Sequence, residues 1–181
     1  MRFFVFPLFF LSALLMPPAL YAESELPEGF ADESGKPTLV SHDDMVLAAL
    51  SLIGSPYKYG GDNPDTGFDC SGLVKYVLGL TSSITLPRSS AEMYSKRYGH
   101  KITVEELKAG DLLFFRIGGS KRVNHVAVYI GENRFVHAPA TGGFVRVDLM
   151  GDKYWTRYFL GAKRVLPEND MSPAAADADA R

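Results

Sequence analysis

One cysteine occurs in the 181 residues, so the chain can form no internal disulfide. Exported proteins usually carry thiols in pairs, and an unpaired Cys70 is therefore a buried inert residue, an intermolecular link or a group kept for its chemistry. Basic runs are missing as well: Lys and Arg number 19 against 21 Asp and Glu, for a formal net charge of -2. Glu168, Asp170, Asp177 and Asp179 crowd the C-terminal end and leave the remainder near neutrality. Phosphate binding needs a concentrated positive surface, so the composition argues against nucleic acid as the main partner. Neither Cys-x-x-Cys nor His-Glu-x-x-His spacing occurs, and no internal repeat is found.

What is present begins with a sorting signal. Arg2 precedes an apolar run from Phe3 to Met16, followed by small and helix-breaking residues up to Ala22. That order reads as a secretory signal peptide, residues 1–22, and the run is shorter than the roughly 20 residues a membrane-spanning helix needs. Removal after Ala22 is expected; an uncleaved anchor is the alternative, because Leu20 and not a small residue sits three before the cut. No cysteine follows the run as a lipid acceptor, so no lipid anchor is expected. A periplasmic location is expected for the product, with a secreted or wall-associated one as the alternative. Residues 23–40 read as a Pro/Gly/Glu-rich leader and 41–166 as one domain of ordinary size, expected to be a monomer. Residues 167–181 form an Ala/Asp/Pro-rich tail with little apolar content beyond alanine, expected to be disordered.

Ser41 and Asp44 form a capping signature for a first helix, with Met45, Ala48, Ala49, Leu52 and Ile53 at helical spacing and Gly54 at its end. Residues 55–64 are turn chemistry. From Cys70 the spacing of Leu73, Val74, Val77 and Leu78 predicts a second helix, broken at Thr81, which puts Cys70 in its first turn. Ser89 or Ser90 caps a short helix through Arg97, and Thr103 to Glu106 repeats the capping pattern. Beyond Asp111 the period becomes two. Residues 112–115, 123–130, 134–137, 144–147 and 158–165 read as strands divided by Gly-rich turns. Helices followed by strands define an α+β fold.

A thiol is a useful nucleophile as thiolate, which a helix N-terminus favours and a nearby histidine favours further. His125 stands out of place in an apolar, β-branched strand, either as a satisfied core residue or as a base. The short turn after Ile130 makes the next strand its hairpin partner, which brings His137 close to it. A second imidazole can hold a base histidine in the right tautomer. His42 and His100 sit among polar residues, where solvent exposure explains both.

The string Phe68-Asp69-Cys70-Ser71-Gly72-Leu73-Val74, preceded by residues 56–61, resembles the nucleophile motif of the NlpC-type bacterial cell-wall cysteine endopeptidases, which are papain-like. Residues 86–90, 109–115, 124–131 and 135–138 resemble the later motifs of that family in the same order. The resemblance implies helices packed on an antiparallel sheet with the nucleophile at a helix N-terminus. It also implies a triad in which Cys70 attacks, His125 exchanges the proton and His137 orients His125. Tyr57 is implied beside the oxyanion, or as a packing residue of its loop. Asp69 and Ser71 are implied as stem-peptide contacts, though Asp69 serves equally as a helix cap. Arg88 is either structural or a partner for a substrate carboxylate, and stays outside the expected site. No metal and no cofactor are implied, and the implied partner is the peptidoglycan stem peptide.

Three rivals accompany that expectation. One cysteine and two histidines are legitimate zinc ligands, but the usual spacings are absent. A non-catalytic peptidoglycan-binding module would show substitutions in the triad, and none occurs. An amidase or acyltransferase on the same scaffold would also proceed through a thioester.

Overall fold

The computed structural model describes residues 41–167; the expected signal peptide, the expected leader and residues 168–181 of the expected tail lie outside the described residues. Helix α1, His42–Ser51, starts with a complete capping box between Ser41 and Asp44 and buries Met45 and Ala49. It ends before the expected Gly54, because Leu52 and Ile53 already donate to carbonyls three residues back and Gly54 then turns away with φ 89°. A small hairpin follows, strands β1 (Asp62–Asn63), within the stretch expected to be turns, and β2 (Gly67–Phe68), just beyond it.

Helix α2, Cys70–Thr81, is the second helix the spacing predicts, and it buries Leu73, Val74, Val77 and Leu78. It packs against α1, and its other neighbours include β5 (His125–Gly131). Gly72 makes this arrangement possible: a Cβ there would lie 2.0 Å from the Gly61 carbonyl oxygen. Helix α3, Ser90–Met93, stops well short of the expected Arg97. The reason is Lys163, whose buried ammonium donates to the carbonyls of Met93, Ser95 and Tyr98 and bends the chain around itself. Thr103 and Glu106 do pair, N–H to carboxylate at 2.8 Å, but the following residues stay irregular. There the buried Arg164 takes the Glu106 carbonyl and the Asp111 carboxylate instead.

The remaining strands are β3 (His100–Ile102), β4 (Leu112–Phe115), β6 (Arg134–His137), β7 (Arg146–Leu149) and β8 (Phe159–Arg164), with helix α4 (Lys153–Tyr158) between the last two. Together with β5 they form one six-stranded sheet in the order β3-β8-β4-β5-β6-β7, antiparallel throughout. The β5–β6 turn gives Glu132 and Asn133 positive φ, as tight hairpins require. Alternation sorts the strand residues: Leu112, Phe114, Val126, Val128 and Val136 join the helices in one core. Leu113, Phe115, Ala127 and Phe135 join Trp155 in a second. His125 and His137 follow the alternation of Ala127 and Phe135, and so belong to the face that carries Trp155.

Candidate active site

Asp69 holds Cys70 at the first position of α2 by accepting the Gly72 N–H on Oδ1 at 2.8 Å. The same carboxylate takes both terminal nitrogens of Arg88, at 2.8 and 2.7 Å, and the Ser71 hydroxyl and Gly60 N–H, each at 3.0 Å. Arg88 also donates to Ser71 Oγ and to the Gly61 carbonyl. Burial works to raise the Asp69 carboxyl, but the Arg88 hydrogen bond, the Gly72 N–H and the Arg88 charge outweigh it and leave it below its ordinary value. The capping role is thus present in the structure.

Burial pushes the Cys70 thiol above its ordinary value, although the N–H groups of Val126, Ser71 and Cys70 itself favour the thiolate; the Asp69 charge opposes it. Burial thus works against the thiolate that a helix N-terminus and a histidine would favour. Desolvation outweighs the helix N-terminus here.

His125 is the first residue of β5, and its Nε2 lies 2.8 Å from His137 Nδ1. Burial first, then the neighbouring His137, push His125 from 6.5 down to about 3, so it is neutral at pH 7. His137 is fully buried on β6, lowered chiefly by that burial. Its Nε2 lies 3.0 Å from Asp148 Oδ2. Asp148, on β7, accepts Arg146 Nε and Nη2, each at 3.0 Å, and the Trp155 indole N–H at 3.0 Å. Burial works to raise the Asp148 carboxyl, but hydrogen bonds from His137 and Arg146 hold it well below the carboxylate range. Trp155 stacks on His125 with ring centroids 5.6 Å apart and meets His137 edge-on at 4.8 Å.

Two cavities meet at the thiol. The larger, about 730 Å³, includes Tyr57, Cys70, His125, Arg146, Asp148 and Trp155 in its lining. The smaller, about 380 Å³, includes Tyr57, Asp69, Cys70, Ser71 and Arg88. Tyr57 borders both, and burial, then Cys70 and Asp69, raise its phenol above 10.0, which keeps its O–H a donor. Among the described residues no hydrogen bond joins the Cys70 sulfur to His125, a looseness common in hydrolases without substrate. His42 is not simply solvated, since its Nδ1 lies 2.8 Å from the Ala109 carbonyl oxygen; His100 is exposed on β3. Neither approaches the thiol's cavities. Among the described residues no cluster of three potential ligands is placed to hold a metal ion.

A family profile described as NlpC/P60 matches residues 54–164. The chain belongs to the NlpC/P60 family. It is 45% identical over 117 residues to the murein DD-endopeptidase MepH of Escherichia coli strain K12, covering 65% of this chain and 43% of that protein. It is 38% identical over 139 residues to the gamma-DL-glutamyl hydrolase of Bacillus subtilis strain 168, covering 76% of this chain and 32% of that one. The chain thus spans less than half the length of either curated relative. Among solved structures, an NlpC/P60 family protein from Bacillus cereus is similar with a TM-score of 0.64 at 33% identity, over 70% of this chain and 41% of that one.

In this NlpC/P60 domain the expected Cys70, His125, Tyr57, Asp69 and Ser71 all border the two cavities, and His137 stands directly behind His125. Two residues that the sequence expectation leaves outside the site join it. Arg88 belongs to the polar network at the start of α2. Asp148 fell one residue beyond the strand expected at 144–147, which the structure shifts to Arg146–Leu149. Its signal was an Arg-Val-Asp alternation placing two opposite charges on one face of a strand beside the histidines.

Proposed function

We propose that this domain is a cysteine peptidase that hydrolyses amide bonds in peptidoglycan stem peptides or cross-links through a Cys70 acyl-enzyme. The observation carrying this reading is the meeting, around one cleft, of an unpaired thiol at a capped helix start with a buried histidine pair. Family membership supports it, as do relatives named for murein and glutamyl bonds.

In the reaction, Cys70 Sγ bonds to the substrate carbonyl carbon as its proton passes to His125. Burial favours the neutral thiol and the neutral imidazole, so attack and proton transfer are coupled. The tetrahedral oxygen takes hydrogen bonds from the Cys70 N–H and the Tyr57 phenol, a preorganised donor pair. His125 then gives its proton to the leaving amine as the C–N bond breaks, leaving a thioester. Water attacks the thioester, gives a proton to His125, and restores the Cys70 thiol as the C–S bond breaks. Since His125 must face the leaving amine, the larger cavity takes that fragment and the smaller one, walled by Tyr57, Asp69 and Ser71, takes the acyl fragment.

The same reading puts the processed protein outside the cytoplasm, in the periplasm, on the strength of the signal-peptide pattern in residues 1–22. Digestion of purified peptidoglycan by residues 23–181, wild type beside Cys70→Ala, tests the function by mass spectrometry of released fragments. Loss of cross-linked dimers identifies a cross-link endopeptidase, and shortened stems a γ-glutamyl cutter. Absence of any Cys70-dependent product would favour a binding module or an acyltransferase.

A further inference from the structure

We propose that Asp148 is a positioning residue for the base: it decides which nitrogen of His137, and through it which nitrogen of His125, carries the proton. An ionised carboxylate only accepts hydrogen bonds. At 3.0 Å from Asp148 Oδ2, His137 Nε2 must therefore carry hydrogen. In a neutral imidazole the other nitrogen then holds a lone pair, so His137 Nδ1 accepts from His125 Nε2 across their 2.8 Å contact. His125 Nδ1 is left as the unprotonated nitrogen, on the side of the ring away from His137 and able to accept the Cys70 proton.

Without the carboxylate, two neutral histidines can share one hydrogen bond in either direction. In the reverse arrangement His137 Nδ1–H donates to His125 Nε2, and His125 carries its proton on Nδ1. That form cannot accept a proton from the thiol. The chain Asp148, His137, His125 removes this idle arrangement, and three further donors hold Asp148 ionised and in place: Arg146 twice and the Trp155 indole. The groups facing the pair are Arg146 and Asp148 from β7, Trp155 from α4, Phe115 from β4 and Phe135 from β6. Cys70 and Asp152 border the same cavity. Of these, only Asp148 makes a hydrogen bond to either ring, so it alone sets the direction.

The tautomer assignment stands apart from any substrate, while its consequence for turnover rests on the hydrolase reading. Nitrogen-15 spectra of the imidazoles in the wild-type full chain are the direct test. Expected are protonated Nε2 and unprotonated Nδ1 on both His125 and His137 around neutral pH; a proton on His137 Nδ1 would overturn the proposal. Asp148→Asn should mix the two tautomers and slow alkylation of Cys70 by iodoacetamide about tenfold or more. It should also lower kcat on peptidoglycan fragments by about 10²- to 10⁴-fold with KM within about threefold, in line with losing the orienting carboxylate of a triad. Asp148→Glu should recover part of each. Wild-type tautomers and alkylation within about twofold in the Asn variant would reduce Asp148 to a brace for Arg146. If Asp148→Asn fails to fold, the wild-type spectrum decides. Should the wild type release no wall fragments, the spectra and alkylation still judge Asp148, and only the hydrolase reading falls.

Discussion

On one side of Cys70 the sheet presents His125, His137 and Asp148 on three successive strands, β5, β6 and β7. On the other, a loop and a helix start present Tyr57, Asp69, Ser71 and Arg88. The first wall is buried among aromatic rings, and strand register fixes its spacing. The second is held by side chains bonding to backbone across sequence distances, Gly60 and Gly61 to Asp69 and Arg88. Desolvation keeps the imidazoles of the strand wall neutral, while the loop wall keeps a charged ion pair that is partly open to water. On the proposed function, proton transfer falls to the desolvated strand wall and contact with the acyl fragment to the polar loop wall.

The sharpest way to break that contrast is to remove the groups at the junction. Cys70→Ala should abolish fragment release, a loss of at least about 10⁴-fold, and His125→Ala should approach it. His137→Ala should cost less, because orienting is less demanding than carrying the proton; equal losses for the two histidines would erase the distinction between base and orienter. Acid should next expose the dry wall. The folded His125 sits near 3, below its unfolded value of 6.5, so the unfolded chain binds the extra proton and stability falls as pH drops through that window. Asp148, held low in the fold, adds to the loss below its own unfolded value. Denaturant titrations between about pH 7 and 4 should show a decline on the order of 3 kcal/mol or more, which His125→Leu reduces but does not remove because buried His137 is lowered too.

Gly72→Ala probes how tightly the loop wall is tied to α2. With a Cβ 2.0 Å from a backbone oxygen, unfolding free energy should fall by about 2 to 4 kcal/mol, and a stable variant with wild-type melting would mean the loop yields freely. The smallest effect is expected at Arg88→Gln. A partly exposed pair is worth about 1 kcal/mol of stability, so melting should shift by a few degrees. KM should rise while iodoacetamide alkylation of Cys70 stays near wild type, and a large loss of alkylation would place Arg88 with the proton machinery.

Legibility in the sequence followed the range of the interactions. Cys70 at a helix start was readable because Asp69 caps it from one residue away, and His125 and His137 because a three-residue turn makes their strands partners. Asp148 was not, since its tie to His137 crosses a strand pair whose register no local pattern defines. Helix α4 was hidden by Tyr154, Trp155 and Tyr158, which read as strand formers; its packing on the Trp155 side of the sheet overrides that preference. The premature end of α3 was equally invisible, because Lys163 lies 70 residues from Met93.

The burial that favours the protonated form of Cys70 has a consequence outside catalysis. Peroxides, and disulfides seeking exchange, react with thiolates, and sulfenic acid formation follows thiolate character and exposure. Burial that raises the thiol lowers the share of thiolate that either reagent meets, even though Cys70 is only partly covered and borders two cavities. The burial that holds back the nucleophile thus works against its oxidation as well, in a chain with no second cysteine to pair with it.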